Sequence, residues 1–340
     1  MVKKQRIRLQ DVAARAGVSE ATVSRVVNDR PGVRESTRRE VRRLLDELGH
    51  EPLGLRHRAS TGLVGVVVPE LENPVFPAFA QRVEARLALR GYTTVVCSAT
   101  RDGVREDDYV DALLDRDAAG LIVISGRNAN TAADHGLYRS LAAEGFPLVL
   151  VNGVVPDLDV PFVSCDDRYA GELAVRHLAS LGHERIGCVV GPCRYLPVQR
   201  RLDGFAGAMR TVGAGFDPEL VVESAFSVEG GHAGAHVLLA RGVTAIVAAS
   251  DLMALGVIRA AHELGLAVPQ AISVVGFDDS QLMAFTDPPL TTVRQPVRSM
   301  SETAVRLLSD RMHGLAAECH EYVFRPELVV RGSTWACKET

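Results

Sequence analysis

Between Glu20 and Asn28 the sequence places short polar side chains at helical spacing: Glu20, Ala21, Thr22, Ser24, Arg25 and Asn28. Hydroxyls and an amide of this size reach phosphate oxygens, and one guanidinium can grip the O6/N7 edge of guanine in bidentate fashion. A helix that enters a major groove N-terminus first brings Glu20 and Ala21 to base edges, with Arg25 one turn behind. Ala21 offers a methyl contact, most naturally to thymine. The chemistry is that of duplex DNA recognition; the competing reading is a solvated helix of an ordinary three-helix bundle.

A second set of polar residues follows short apolar runs. Asn73 comes after LVGVVV (63–68), Ser125 after LIVI (121–124) and Asn152 after PLVLV (147–151). Ser250 and Asp251 follow TAIVAA (244–249), and Asp278 and Asp279 follow ISVVG (272–276). Arg201 opens a helical stretch in VQRRLDGF, and Phe76 and Phe226 add apolar faces. A carboxylate, a guanidinium, amides and aromatic rings suit a neutral polyhydroxyl ligand, whose hydroxyls donate and accept while its C–H faces stack. Taken singly, Asn73, Asn152 and Ser250 also suit turns or caps. Asp251 is expected to cap the helix LMALGVIRAAHEL, Asp279 to do likewise, and His183 in LGHERIG to serve as a connector rather than a base.

The elements that must hold the first set are three short helices. LQDVAARA (9–16) has Leu9, Val12, Ala13 and Ala16 on one face, and Gly17-Val18-Ser19 interrupts the pattern before Glu20–Asn28 resumes it. Gly17 supplies a left-handed turn residue and Ser19 an N-cap, which together make a helix-turn-helix. Val18 and Val23 form the wedge beneath the crossing. A third helix fits Glu35–Leu48, with Val41, Leu44, Leu45 and Leu48 inward and Gly49 as its stop.

The second set requires parallel sheets. Apolar strands at 63–68, 93–97, 121–124, 147–151, 185–190, 244–249 and 272–276 alternate with amphipathic segments at 76–90, 105–116, 168–180, 199–212, 230–240 and 252–264. Strands apolar throughout, each followed by a helix, mean sheets covered on both faces. A break near Pro156–Phe162, with Leu290–Gln295 and Tyr322–Val330 running between lobes, divides the strands into two α/β lobes joined by several crossings. Ligands of such sheets bind beyond the carboxyl ends of the strands, so facing lobes share a cleft.

Charge divides along the same line. The net charge of −4 over 340 residues conceals 14 Lys and Arg against 8 Asp and Glu in residues 1–60, a net +6, which leaves −10 for the remainder. Anionic partners therefore meet the head first. Six cysteines at 97, 165, 188, 193, 319 and 337 form no C-x-x-C pair, so reduced thiols are expected and no metal or other cofactor is implied. The start MVKKQRIRLQD has no apolar run behind its basic stretch, and no long apolar window follows. A cytoplasmic, nucleoid-associated protein without a membrane partner is expected.

The segment LQDVAARAGVSEATVSRVVNDRPGVRESTRREVRRLLDELGHEP resembles the DNA-binding domain of the lac/galactose repressor family, with D-V-A-x-x-A-G-V-S-x-x-T-V-S-R-V-x-N ungapped at Asp11–Asn28. The resemblance implies that Glu20, Ala21 and Arg25 read bases and that Ser19, Thr22, Ser24 and Asn28 hold phosphates. His50 stands where the family usually has a backbone-touching tyrosine. Past Pro52 the chain departs from the family: the hinge LGLRHRASTG is about three residues shorter, with no leucine at the place of the family's minor-groove wedge. Either Leu55 or Leu53 replaces the wedge, or Arg56 and Arg58 enter a narrow groove electrostatically, or the segment is a plain charged linker.

AVRHLASLGHERIGCVVGP, ASDLMALGVIRAAHELGLAVPQAISVVGFDD and DPPLTTVRQPV are similar to the family's effector-binding core. By that likeness Arg201 and Asp278 match its sugar-hydroxyl clamp and Phe226 an aromatic that stacks on the ligand. Asn152 and Ser250 stand at polar contacts that are often Asp and Asn. ELENPVFPAFAQ, PVQRR and the Arg-rich hinge also resemble maltose-type regulators of high-GC Gram-positive bacteria.

The expected organisation is a small all-α helix-turn-helix domain at 1–49, a hinge at 50–62 and a periplasmic-binding-protein-like α/β core at 63–340. Its N-lobe is placed at about 63–160 and 294–323 and its C-lobe at about 161–293 and 324–334. The implied function is a homodimeric regulator of carbohydrate-utilisation genes, most simply a repressor that a sugar-like effector releases from a palindromic operator. A corepressor-dependent repressor or an activator is the alternative within the family. No G-x-S-x-G, Walker, H-E-x-x-H or strand-following G-x-G-x-x-G motif supports an enzyme.

Overall fold

The computed structural model describes residues 9–27, 33–47, 62–100, 103–315 and 319–337. The chain divides into two compact units, residues 1–61 and 62–340. Of the expected DNA-contacting residues, Asn28, His50, Leu55, Arg56 and Arg58 lie outside the described residues, and with them the expected hinge up to residue 61.

The first unit holds α1 (Leu9–Ala16), α2 (Glu20–Val27) and α3 (Glu35–Glu47). Gly17 takes φ +63° at the turn between α1 and α2. That left-handed conformation strains any residue with a Cβ, which explains the glycine. The Ser19 hydroxyl accepts from the Thr22 backbone N–H at 3.2 Å, the N-cap expected there. Val12, Ala13, Val23, Val26, Val41 and Leu44 form the core, with Ala16, Val18 and Val33 at its margin. Among the described residues the core is six small aliphatic side chains, and a core that slight gives a unit of this size only marginal stability by itself.

The second unit is two lobes, each with a six-stranded sheet. The first lobe contains β1 (Leu63–Val68), α4 (Val75–Ala88), β2 (Thr93–Ser98), α5 (Glu106–Leu114), β3 (Ala118–Ile124), α6 (Gly136–Ala143), β4 (Leu148–Val151) and β5 (Phe162–Cys165). The chain then enters the second lobe through α7 (Asp167–Ser180), β6 (Ile186–Val190), α8 (Leu196–Thr211), β7 (Val221–Glu223), α9 (Val228–Ala240), β8 (Ala245–Ala248), α10 (Asp251–Glu263), β9 (Ser273–Asp278) and β10 (Thr291–Arg294). It returns to the first lobe with α11 (Val297–Met312) and β11 (Glu321–Phe324), and closes the second with β12 (Glu327–Val329). The sheet orders are β11-β5-β4-β3-β1-β2 and β12-β10-β9-β8-β6-β7. All neighbours are parallel except β10 and β12. Three crossings therefore join the lobes: β5 to α7, β10 to α11, and β11 to β12.

The two-lobe α/β architecture is the expected one, but the first boundary between lobes falls later than residue 160. Phe162–Cys165 pairs with β4 and β11 and belongs to the first sheet. Pro156 and Pro161 made the segment read as a break; only four residues follow before the next helix, too few to show a strand pattern. The later boundaries shift by a residue as well, since Arg294 ends a strand of the second sheet and Phe324 one of the first.

Glycines set how closely the second lobe's helices pack. A Cβ at Gly204 would overlap the Arg168 carbonyl and one at Gly171 the Arg201 carbonyl, so α7 and α8 meet backbone to backbone. Gly231 and Gly256 do the same for α9 and α10, against Met253 and Val228. Such contact fixes the helix pairs, and hence the loops at their ends, to within a fraction of a side-chain width.

Candidate functional site

In the helical unit, Glu20, Ala21 and Arg25 are exposed on α2 and Thr22 is half-buried, while Val23 and Val26 on the opposite face are buried. The three residues expected to read bases thus share the solvent side of one helix, beginning at its first residue. Ser19 and Thr22 share a hydroxyl hydrogen bond of 2.9 Å. Ser24 lies within α2.

In the larger unit, Asn73, Phe76, Ser125, Asn152, Arg201, Phe226, Ser250 and Asp278 all line one cavity of about 430 Å³ between the lobes. The elements explain the convergence. Asn73, Ser125 and Asn152 follow the carboxyl ends of β1, β3 and β4, and Phe226, Ser250 and Asp278 stand after β7, after β8 and at the end of β9. Parallel strands in each sheet end at the same edge, and the two edges face one another.

Asp278 is the hub. Its side chain is buried, with φ +120°, a conformation that L-residues rarely adopt. The Asn73 amide donates to Oδ2 at 3.1 Å from the first lobe, and the Gln295 amide donates to Oδ1 at 2.6 Å from the β10–α11 crossing. Burial, and then the nearby charge of Asp251, push its carboxyl up to about 7. Asp251 is itself raised to about 6 by burial.

Ser250, and not Asp251, caps the helix that follows β8. The Ser250 hydroxyl caps α10 by accepting from the Met253 N–H at 3.2 Å. Asp251, one residue inside the helix, is fully buried and accepts from the Ser280 N–H and hydroxyl at 2.8 and 3.0 Å and the Thr292 hydroxyl at 2.6 Å. It ties α10 to the loop that carries Asp278. Asp279 caps nothing either; it pairs with Arg294 and Arg331, each at 2.6 Å. His183 is a buried connector, with ring nitrogens 2.9 Å from Thr244 Oγ1 and 3.0 Å from Ser273 Oγ.

Arg201 projects from α8 with its Nη1 donating to the Ala249 carbonyl at 2.6 Å. Its Nε lies 3.1 Å from Asp167, and the guanidinium carbon lies 3.8 Å from the Phe277 ring centroid. Burial raises Asp167 to about 6 against the pull of Arg201 and Arg200. Phe226 packs its ring onto Gly191, where any Cβ would overlap it, and meets Tyr195 edge-on at 6.2 Å. Across the cleft, Asn152 and Ser125 have φ +57° and +51°. The Asn152 amide donates to Ser125 at 3.2 Å, and its buried Oδ1 has no protein partner. An unpaired buried acceptor beside a cavity is available to a ligand donor.

Sequence reasoning missed several residues of this site. Asp167, Arg194, Tyr195 and Gln295 also line the cavity. Glu106 and Asn128 shape the loop after β3 from behind: Glu106 accepts from the Arg127 N–H at 3.0 Å and from the Tyr138 hydroxyl, and Asn128 donates to the Val151 carbonyl at 3.0 Å. Gln295 alone carried a usable signal, as the polar residue directly after a strand in TTVRQP.

The cleft rim is bridged directly. The Thr131 N–H donates to the Arg194 carbonyl at 2.8 Å, and Arg200 of α8 pairs with Glu321 of β11, its Nη2 at 3.0 Å from Oε2. Together with Asn73–Asp278, these contacts hold the lobes in one relative arrangement. No described helix is long and apolar enough to cross a membrane.

Residues 8–52 match the family "Bacterial regulatory proteins, lacI family", and residues 175–334 match "Periplasmic binding protein-like domain". The chain is 54% identical over 335 residues to the HTH-type transcriptional regulator MalR of Streptomyces coelicolor, covering 96% of each chain, in keeping with the likeness to maltose-type regulators. Among solved structures it is similar to a transcriptional regulator CelR–cellobiose complex (33% identity, TM-score 0.73, covering 96% of this chain and 100% of that one). It is also similar to a lac repressor dimer bound to operator and the anti-inducer ONPF (30% identity, TM-score 0.70, covering 98% and 100%). With a helix-turn-helix unit, a two-lobed cleft and relatives aligned over almost the whole chain, this protein belongs to the lacI family of HTH-type transcriptional regulators.

Proposed function

We propose that the protein is a homodimeric repressor of carbohydrate-utilisation genes, acting on the chromosome in the cytoplasm. It binds a near-palindromic operator through α2 and is released when a sugar of the maltose or maltodextrin type occupies the cleft. The observation that carries the sensing half is the convergence of Asn73, Phe76, Asn152, Arg201, Phe226 and Asp278 on one cavity, which gives it a carboxylate, a guanidinium, amides and aromatic rings. Glu20, Ala21 and Arg25 read base edges in this scheme. Ser19, Thr22, Ser24 and Asn28 hold phosphates, with His50 and the hinge residues Leu55, Arg56 and Arg58 extending the contact. Two heads on a two-fold dimer address half-sites about one helical turn apart. Support for a second copy comes from exposed Leu89, Val95 and Val96 around the sheet-edge strand β2, and from Leu282 and Phe285 in the second lobe.

The switch is Asp278. In this arrangement Asn73 reaches it directly across the cleft. A sugar hydroxyl inserted between them takes over the carboxylate, and a second hydroxyl donates to Asn152 Oδ1. Replacing a direct bond between lobes with a bridged one changes the angle at which the lobes meet. The ligand can shift that equilibrium only by its differential affinity, typically about 1–3 kcal/mol.

The test is fluorescence anisotropy of labelled operator titrated with maltose, longer maltodextrins, cellobiose and ribose, after a thermal-shift screen with the same sugars. Release by one sugar class, lost in Arg201→Ala, supports the reading. If every sugar leaves operator affinity unchanged, the effector assignment is wrong. Tightening by a sugar would instead mark a corepressor.

A further inference from the structure

Outside the cleft, on the second lobe, α9 carries His232 and His236 one helical turn apart, and the last residue of α10 is Glu263. The His232 Nε2 lies 2.7 Å from Glu263 Oε2, and the His236 Nε2 lies 3.9 Å from the same oxygen. The imidazole centroids are 4.7 Å apart. We propose that these three side chains form a divalent metal site of the zinc class that staples α9 to α10.

Three observations carry it. The first is the donor set: two imidazoles and one carboxylate are the ligands a borderline-soft cation accepts, and a hard cation such as magnesium prefers oxygen. The second is spacing. Tetrahedral bonds of about 2.0–2.1 Å separate ligand atoms by about 3.3 Å, and the two nitrogen-to-oxygen distances of 2.7 and 3.9 Å straddle that value. All three ligand atoms lie within 4.8 Å of one another, so side-chain rotation alone can bring them to that spacing. All three residues retain access to solvent, so a cation has an entry path and a water can complete the shell.

The third is rigidity. His232 and Glu263 lie on helices locked together by the backbone contacts at Gly231 and Gly256. The ligands are thus held near one another before a cation arrives, which reduces the ordering cost of binding. The cysteine spacings that suggested no metal concern other side chains, and the His-x-x-x-His pair acquires its third ligand only when the two helices pack.

Arg259 makes the proposal discriminating. Its Nε sits 3.0 Å from Glu263 Oε1, on the oxygen that faces away from His232. A guanidinium there competes electrostatically with a bound cation. If the cluster exists only as an ion-pair network, removing Arg259 has no bearing on metal. If it is a metal site, removing it strengthens binding.

Both helices begin at the cleft, α9 just after Phe226 and α10 at its Ser250 cap. A cation at this cluster therefore secures the two elements that position those residues.

The experiment uses the full-length, chelator-treated protein. Isothermal titration with zinc chloride should give one site per chain for the wild type, and a rise in Tm with zinc but not with magnesium. His236→Ala and Glu263→Gln should lose both signals while keeping the wild-type Tm in chelator, because these positions are exposed. Arg259→Gln should bind zinc more tightly than wild type. Cobalt(II) loading should give a tetrahedral d–d spectrum without a thiolate charge-transfer band, which excludes the cysteines as ligands. Zinc binding unchanged in His236→Ala, a thiolate band, or no zinc-dependent shift at all would each overturn the proposal.

Discussion

The two units expose and conceal their working residues in opposite ways. The helical head displays Glu20, Ala21 and Arg25 on the open side of α2, opposite buried Val23 and Val26. The body buries its counterparts: Asp278, Asn152 and Ser250 are nearly inaccessible, and each is held by at least one hydrogen bond. A surface reader can be altered without cost to its scaffold. The proposed sensor cannot, because Asp278, Asn152 and Ser250 are also part of the packing. Substitutions in the head should therefore change function alone, and those in the body should change function and stability together.

The largest expected effect is on DNA. Arg25→Ala removes a guanidinium from each half-site, and a lost bidentate contact is worth about 1–3 kcal/mol, so a dimer loses about 2–6 kcal/mol of operator affinity. Anisotropy should show this with Tm and sugar binding unchanged. Wild-type affinity in this variant would remove α2 from the recognition role.

Arg201→Ala should do the reverse. It leaves the Asp167 carboxyl buried without its cation, a loss of about 3–5 kcal/mol in stability by urea titration. The surviving folded protein should bind operator and fail to respond to sugar. Arg201→Lys keeps the charge but not the fork, and separates the two losses: stability should largely return and sugar response should not.

Acidity probes the contrast further. The Asp278 carboxyl is raised from 3.8 to about 7, so over that range the folded body holds a proton that the unfolded chain has released. The contribution of this residue to stability is therefore complete at the acid end and falls as pH rises towards about 7. Burial lowers His177 and His183, which gives an opposite slope, since those groups lose stability as pH falls. Subtracting the Asp278→Asn curve from that of wild type cancels them. The difference should fall between about pH 4 and 7 and flatten above, and a difference independent of pH would contradict a buried, proton-holding Asp278.

The smallest effect is at Ser250. As an N-cap it contributes about 1 kcal/mol, so Ser250→Ala should lower stability by that amount. A loss of sugar affinity greater than the loss of stability would show that the hydroxyl also touches ligand.

Much of this was readable from residues because the signals are local. Gly17, Ser19 and the apolar face of α1 and α2 specify a helix-turn-helix within twenty residues. Strand-then-polar-residue is likewise local, which is why Asn73, Ser125, Asn152, Ser250 and Asp278 could be named before their convergence was visible. What escaped needed the third dimension. β5 was hidden because a four-residue strand between a proline-bounded loop and a helix shows no period. Glu106 and Asn128 act on the cleft from behind it, through partners far apart in sequence. Asp251 looked like a cap because it is the acidic residue nearest the helix start, and only its burial against Ser280 and Thr292 reveals a tether.

The three crossings also bear on how the chain is made. Each sheet receives its last strand late: β11 completes the first and β12 the second, long after β1 has left the ribosome. Chains fold from the N-terminus as they emerge. The helices proposed to read DNA are finished first, and the proposed sensor closes only with the final strands. On the proposed function, a nascent or prematurely stopped chain ending before Val329 thus carries the reading helices with no finished cleft to govern them.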